Sequence, residues 1–581
     1  MARRMSAVDR YMQQRQAIPV SSDEVEPVYG LPTLTTLSPA APEQQQATPD
    51  LLHPEPCQSI DHRAARKALE FAFTAGDSAG VASGALTTAA GCESRFQPDA
   101  FAGELFLDEL IEGVLRFELE GRKAPLAKDH LRRLLCQPPA SREVVRFRHE
   151  VLRELHGSAP LLQALETVYG KLVKLLQLFD ESSGQSRYDL PRWRLDLLSA
   201  LRELFESMHG PFEHARSGLA RLHAFSALVL ESKGFAELRG LLDFEGDMAR
   251  VDLHLQVGVD GRVRKLDILK LEEHRTEPFY RGPIVRLVSR IVTFLRGYRF
   301  GNVELVERWF EHVYLGLLEY LPPVLQLRGD FEFYLSACHF AKSAGEKGLS
   351  VCIPELLGDD ASAPRKLEAL FNPLLMLQER LPVPCTLEVD SLRRSCIVTG
   401  PNSGGKTRLL QAIALTQMLG QSGFFVPAQS AQLRPASGLY VSLGNETSAD
   451  QQEGRLGTEL LRIRHLFEHA RPGSMIVLDE LCSGTNPSEG EEIFQLVVGL
   501  LRELEPEVFI TTHFLQFAQQ LAEDADRLAL CFVQVELDAE RVPTYQFLPG
   551  VAETSLAQQT AARLGVSRDE LLALIRRHRR D

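Results

Sequence analysis

The chain predicts a multidomain α plus α/β protein, a long helical region followed by an α/β domain built around a phosphate loop. Three observations predict it. From about residue 60 to 245, apolar residues recur at helical spacing with almost no strand signal. Past Leu370, short apolar β-branched runs alternate with helical segments, the pattern of a mainly parallel sheet. Within that part, Cys396-Ile397-Val398-Thr399 runs into Gly400-Pro401-Asn402-Ser403-Gly404-Gly405-Lys406-Thr407 and then into a helical stretch. This is G-x-x-x-x-G-K-[ST] in the strand–loop–helix context that gives the motif its meaning.

The 581 residues leave room for roughly three or four domains. No run of eighteen apolar residues occurs, so no membrane span is expected. Arg3, Arg4, Arg10 and Arg15 stand near the start without an apolar core, so no secretory signal is expected either. The nine cysteines are odd in number and form no C-x-x-C pair. They predict reduced thiols in a cytoplasmic protein, without a disulfide framework or zinc site. A formal net charge of −14 argues against indiscriminate coating of nucleic acid, while leaving a local basic groove open.

In order along the chain, residues 1–59 are rich in Pro, Gln, Ser and Thr and are expected to form a disordered tail that buries little. Residues 60–370 are expected to be mainly helical. Leu197, Leu198, Leu201, Leu204, Phe205 and Met208 mark one buried helix face, and similar faces recur at Leu107 to Phe117 and Val144 to Leu155. Alternation at Leu253, Leu255, Val257 and Val259, followed by Asp260-Gly261, predicts a β-hairpin near 252–269. Residues 261–300 form the most basic stretch, from Arg262 to Arg299. Within it Arg286, Arg290 and Arg296 lack acidic neighbours, which suits phosphate contacts as well as a plain solvated helix face. Helical patterns resume at Val303 to Leu321 and Phe331 to Gly348. Residues 371–560 are the α/β domain, with strands expected at Ser395 to Thr399, Leu439 to Leu443, Met475 to Leu478 and Val508 to Thr512. Residues 561–581 are expected to be a helical tail opened by the capping box Ser567-Arg568-Asp569-Glu570.

The candidate chemistry follows from the loop. Gly400, Pro401, Asn402, Ser403, Gly404, Gly405, Lys406 and Thr407 would bind the phosphates of a nucleoside triphosphate through backbone N–H groups and the Lys406 ammonium. The Thr407 hydroxyl would ligate Mg2+. Met475-Ile476-Val477-Leu478 ends in Asp479-Glu480, which places Asp479 to hold the magnesium shell and Glu480 to orient or deprotonate water. Asn486 and Pro487 mark the start of the next helix. His513, closing Thr511-Thr512-His513 at a strand end, is a candidate γ-phosphate sensor.

These residues together resemble the MutS family of ATPases, the DNA mismatch repair clamps and their paralogues. Gly400 to Thr407 is similar to that family's G-P-N-x-G-G-K-[ST]. Phe425-Val426-Pro427-Ala428 resembles its V-P-A segment, and Leu478 to Leu481 with Gly484-Thr485 and Glu489-Gly490 resembles the D-E-[LI]-G-x-G-T-x-P-x-E-G of its second bacterial lineage. Thr511 to His513 resembles its T-T-H, Asn372-Pro373-Leu374-Leu375 its H-P-L-L, and Tyr545 to Val551 with Ala561 to Leu564 its closing segment. Upstream, Arg142 to Leu155 and the hairpin at Asp260-Gly261 are similar to parts of the family's core and lever helices. The resemblance implies a helical core and lever region before a P-loop, ABC-type ATPase domain. It also implies ATP and Mg2+ as cofactors, a homodimer, and a DNA clamp acting in DNA repair or recombination.

The chain departs from the family pattern in several places. It shows no G-x-F-Y-E segment to probe a mispair, and only about 25 residues follow the hairpin region before the returning helix. Gly454-Arg455-Leu456-Gly457-Thr458-Glu459 stands where a serine is expected to reach across the dimer. Cys482 replaces a glycine, and no Smr-type nuclease domain is seen. DNA binding is therefore expected to follow structure rather than sequence. The alternative is a nucleotide-dependent scaffolding switch with weak or no DNA binding.

Overall fold

The computed structural model describes residues 37–39, 48–75, 84–87, 89–180, 190–246, 250–257, 263–272, 302–358, 364–390, 393–443, 455–481, 486–553 and 571–572. The helical layer comprises α1 (His62–Ala75), α2 (Lys128–Cys136), α3 (Arg142–Gly157), α4 (Ala159–Asp180), α5 (Leu190–His209), α6 (Ala220–Glu231) and α7 (Lys233–Gly246). After the antiparallel hairpin β1 (Arg250–Val257) and β2 (Val263–Glu272) it resumes with α8 (Asn302–Leu317) and α9 (Leu321–Glu346). All six apolar residues expected on one face of α5 are fully buried, so the spacing is a packing face. Among the described residues, no helix is long and apolar enough to cross a membrane.

Three expectations change. Residues 48–53 are not part of a loose tail: Thr48, Asp50, Leu51, Leu52 and His53 are buried in the helical layer. Asp330 on α9 accepts a hydrogen bond from the Leu51 N–H at 2.9 Å, and Arg221 on α6 donates to the Asp50 and His53 carbonyls at 2.6 and 2.7 Å. Polar composition concealed this because the segment is anchored by backbone bonds to polar side chains as well as by Leu51 and Leu52. Second, the Leu107 to Phe117 face is not one regular α-helix; Leu110–Leu115 is a π-helix. Third, α9 begins ten residues before Phe331, because Pro322 and Pro323 occupy its first turn, where the missing N–H groups cost nothing. Arg286, Arg290, Arg296 and the capping box at Ser567 lie outside the described residues.

The α/β part holds two sheets. A smaller one runs Glu355–Leu356, β6 (Ser430–Leu433), β3 (Arg365–Leu370), β4 (Cys385–Val389). The larger is built from β5 (Ser395–Thr399), β7 (Leu439–Ser442), β8 (Met475–Leu478), β9 (Glu507–Thr511), β10 (Leu530–Leu537) and β11 (Pro543–Pro549), in the order β7-β8-β9-β5-β10-β11. Every pair in it is parallel except β10–β11. Between the strands lie α10 (Lys406–Ser422), α11 (Arg455–His469), α12 (Pro487–Leu501) and α13 (Leu515–Glu523). The four strands expected from sequence are those of the sheet's parallel core, with bounds shifted by at most one residue. α10 is buried throughout from Leu409 to Ser422. It lies between the sheet and the helical layer, with Ser422 Oγ donating to the Leu135 carbonyl of α2 at 3.1 Å.

A candidate nucleotide site at the carboxyl edge of the sheet

Strand register assembles the site. Leu478 on β8 pairs with Ile510 on β9, so the residues that follow, Asp479 and Thr511, emerge side by side. Val398 on β5 pairs with Thr511 on the other side, which sets the loop from Gly400 against the same edge. In open α/β sheets this carboxyl edge is where ligands bind.

The loop's shape depends on two glycines. Gly400 has φ 136°, and a Cβ there would stand 2.7 Å from Val535 Cγ2 of β10. Gly405, the N-cap of α10, has φ 85° and is covered by the Tyr545 ring of β11. Both positions need the left-handed region that L side chains avoid. Lys406 Nζ lies inside the loop and donates to the Gly400 and Pro401 carbonyls at 2.9 and 3.1 Å and to Asn402 Oδ1 at 3.4 Å. Burial lowers the Lys406 pKa, with the Glu480 and then the Asp479 charge opposing it.

The acidic partners are fixed from β9. Asp479 Oδ2 accepts from the Thr407 hydroxyl at 2.5 Å, and Asp479 Oδ1 accepts from the Thr511 hydroxyl. The same Thr511 oxygen accepts from the Glu480 N–H at 2.7 Å. Glu480 is held at φ 47°, a left-handed conformation that costs about 1–2 kcal/mol for a residue with a Cβ. Such strain collects at functional sites. His513 follows β9 with its ring tilted against Phe514, centroids 4.1 Å apart. The structure thus brings Lys406, Thr407, Asp479 and Glu480 together. His513 stands at the rim, without a hydrogen bond to them among the described residues.

Two clefts adjoin the loop. One, lined by Asn402, Ser403, Lys406, Thr407, Gln411 and Tyr545, suits phosphates. The other is mostly apolar, with Phe371, Leu381, Val383, Tyr545 and Phe547 along it. Asn372 ties the two by donating from Nδ2 to Gln411 Oε1 at 2.8 Å. Sequence reasoning did not give Thr511, Val535 or Tyr545 individual roles. Thr511 stood in the Thr511-Thr512-His513 motif, but its bond to Asp479 depends on strand pairing; Val535 and Tyr545 reach the loop only through the pairing of β10 with β5 and β11. Asn486 occupies the N-cap of α12 as expected, though its side chain makes no capping hydrogen bond. Residues 444–454 and 482–485, which include Cys482, are outside the described residues, while α11 begins at Arg455.

The donor set fits a nucleoside triphosphate with a hard divalent cation. A threonine hydroxyl and a carboxylate converge beside a lysine at a helix N-terminus, and oxygen donors are what Mg2+ selects.

Comparison with known proteins agrees. Residues 396–573 match the family model for MutS domain V. The endonuclease MutS2 of Thermus thermophilus is 33% identical over 183 residues, 32% of this chain and 24% of that protein. The endonuclease MutS2 of Thermomicrobium roseum is 32% identical over 212 residues, 35% of this chain and 25% of that protein. That of Staphylococcus aureus is 29% identical over 244 residues, 42% and 30% of the two chains. The matched stretch spans about a quarter to a third of the length of these relatives. Motif order, strand register and domain match agree that residues 396–573 form a domain similar to MutS domain V.

Proposed function

We propose that the chain binds ATP with Mg2+, hydrolyses it, and couples the nucleotide state to a dimeric DNA-binding clamp acting in DNA repair or recombination. The convergence of Lys406, Thr407, Asp479 and Glu480 at one sheet edge, with Thr511 holding both acids, carries this reading.

Gly400 to Thr407 would hold the phosphates, Lys406 exchanging its bonds to the loop carbonyls for phosphate oxygens. Thr407 and Asp479 would hold Mg2+, which supplies charge neutralisation at the phosphate oxygens. Glu480 orients the attacking water and accepts its proton. The apolar groove beside Tyr545 takes the base. His513, beyond the end of β9, serves as γ-phosphate sensor through a short movement of the loop it begins.

Exposed Leu460 and Leu461 on α11 and Leu496 and Leu500 on α12 offer apolar area for a second copy, which supports the homodimer. Light scattering of the Glu480→Gln protein with ATP should show the dimer; a monomer at every concentration would remove this part of the proposal.

DNA contact falls to the basic stretch Arg262 to Arg299, since phosphate contacts position a protein without reading sequence. A net charge of −14 favours the second reading, a nucleotide-dependent scaffolding switch with weak or no DNA binding. Binding to matched, mismatched and branched duplex, with and without ATP over a salt series, separates the two. A clamp shows a steep salt slope that flattens when Arg286, Arg290 and Arg296 become Ala, and no preference for a mismatch. A scaffold shows no specific slope.

A further inference from the structure

Far from the nucleotide edge, at the other end of α10, a chain of polar side chains is buried where the segment around residues 48–57 meets α3. Asp50 is almost inaccessible, and His53 Nδ1 donates to its Oδ2 at 2.7 Å. The opposite ring nitrogen, Nε2, lies 3.0 Å from the Cys92 sulfur. Arg148 of α3, fully buried, donates from Nη2 to the same sulfur at 3.3 Å. Its other nitrogens hold the Leu52 carbonyl at 3.1 Å and the Ser422 carbonyl of α10 at 2.8 Å. The order carboxylate, imidazole, sulfur is the arrangement that turns a thiol into a thiolate.

The geometry points to Cys92 as a modification site, a thiolate nucleophile prepared by Asp50 and His53 that reacts with small hydroperoxides. Both imidazole nitrogens face acceptors, a carboxylate on one side and sulfur on the other, so a proton shared between His53 and Cys92 rests on the ring. Arg148 adds a second cation at the sulfur that no carboxylate among the described residues competes for at that distance. Against the push of burial, Arg148 and then the His53 hydrogen bond bring the Cys92 thiol down to about 7. Against the same push, the Asp50 charge and hydrogen bond raise His53 to about 10. Cys57, nearby, is the contrast: burial and then the Asp50 and Cys92 charges push its thiol up to about 12.

Donor atoms of Asp50, His53 and Cys57 also lie within 4.8 Å of one another, a spacing that a metal ion could span. Asp50 argues against it. Its Oδ1 accepts from the Leu52 and His53 N–H groups at 2.7 and 3.1 Å. Its Oδ2 accepts from His53 Nδ1 and from the Cys57 N–H at 2.7 and 2.9 Å. Four hydrogen bonds occupy the lone-pair sites of a carboxylate, so Asp50 orients the histidine and has no oxygen left for a cation. Cys92 itself is half-buried.

In the reaction, the Cys92 thiolate attacks the terminal oxygen of the hydroperoxide. A sulfur–oxygen bond forms and the oxygen–oxygen bond breaks. The departing alkoxide, or hydroxide from hydrogen peroxide, takes the Nε2 proton of His53. Sulfur is oxidised by two electrons to a sulfenic acid, the peroxide is reduced to alcohol or water, and His53 ends neutral. Arg148 then loses an anionic partner while still holding the end of α10.

The full-length protein is treated with iodoacetamide across a pH series, and each cysteine is followed by peptide mass spectrometry. The groups facing Cys92 are His53 and Asp50 from the preceding segment and Arg148 from α3, with Cys57 beyond them; α10 contributes only a carbonyl to Arg148. Cys92 should be labelled first, with a rate midpoint near pH 7, about tenfold faster at that pH than a free thiol of ordinary pKa. His53→Gln should slow it about tenfold. Low-dose hydrogen peroxide should place one oxygen on Cys92, trapped by a sulfenic-acid reagent, and Cys92→Ser should abolish the adduct. If the His53 variant does not fold, the wild-type pH profile decides: a midpoint near 8.5, or no native labelling of Cys92, overturns the proposal. So does a stoichiometric metal ion in the purified protein.

Discussion

Thr511 and Asp479, on adjacent strands, are joined by the Thr511 hydroxyl donating to Asp479 Oδ1, while the same oxygen accepts the Glu480 N–H. One neutral side chain therefore sets the position of both acids. Replacing Thr511 by Val keeps the shape and removes both bonds. ATP hydrolysis should fall about 10–100-fold, with a raised Mg2+ requirement, because a positioned ligand and base are both released. Thr511→Ser should restore most of the activity. A steady-state ATPase assay over a magnesium series checks both outcomes.

Glu480 and Lys406 should separate binding from chemistry. Glu480→Gln should keep ATP affinity and cut hydrolysis on the order of a hundredfold or more. Lys406→Ala should weaken nucleotide binding itself, as measured by calorimetry. Normal turnover in the Glu480 variant would place the base elsewhere.

Arg365 of β3 is completely buried, donating from Nε to Glu507 Oε1 of β9 at 2.6 Å and from Nη2 to Gln417 Oε1 of α10 at 2.7 Å. Its Nη1 is buried with no hydrogen-bond partner. Removing either charge alone strands the other, so Arg365→Met and Glu507→Leu should each cost about 3–5 kcal/mol. The double variant should recover much of that loss, because two apolar residues leave no charge behind. Denaturant unfolding of the three proteins provides the comparison.

Acid should weaken the fold before any carboxylate network is lost. Burial lowers His62 to about 4 and His149 to about 4; it lowers His130 to about 3, with Arg133 and Arg328 adding to the effect. These histidines stay neutral when folded and become protonated when unfolded, so their stability contribution is present above about pH 6.5 and is lost as pH falls. Each removes about 1.4 kcal/mol per pH unit over that window. Asp330 opposes them: burial and then the Asp50 charge raise it to about 8, so it is protonated in the fold and gains in the same window. His339, also lowered by burial, adds to the loss, and Glu332, raised by burial, joins Asp330 against it; the histidines outnumber the carboxyls, which leaves a net loss between pH 6.5 and 4. His149→Leu should flatten the dependence in thermal unfolding measured across that range.

The sheet was legible because Ile397-Val398, Met475 to Leu478 and Val508 to Ile510 are buried on both faces, which leaves an unbroken apolar run in the sequence. The loop and its acids were legible because glycine, lysine and carboxylate chemistry at fixed spacing has few other uses. The edges were not. β11, at the edge of the large sheet, is only half-buried or exposed, and β3 and β6 of the small sheet carry charged or polar residues between their apolar ones, so no run announces them. The Asp50–His53–Cys92 chain was illegible for a different reason: His53 and Cys92 are 39 positions apart and meet only through tertiary packing. The segment around residues 48–53 was hidden by the polar sequence on either side of it.

The burial of α10 has a mechanical consequence. A surface helix can roll or slide a little under load, its outer side chains rearranging in water. From Leu409 to Ser422 this one has no outer side. At its end Gly423, at φ 86°, is pressed against Arg148, where a Cβ would meet the Arg148 Cβ at 2.7 Å. Close-packed interiors do not yield gradually. A displacement at Lys406 is therefore passed along α10 toward Arg148 and α3, as through a stiff rod, and is not absorbed along the way.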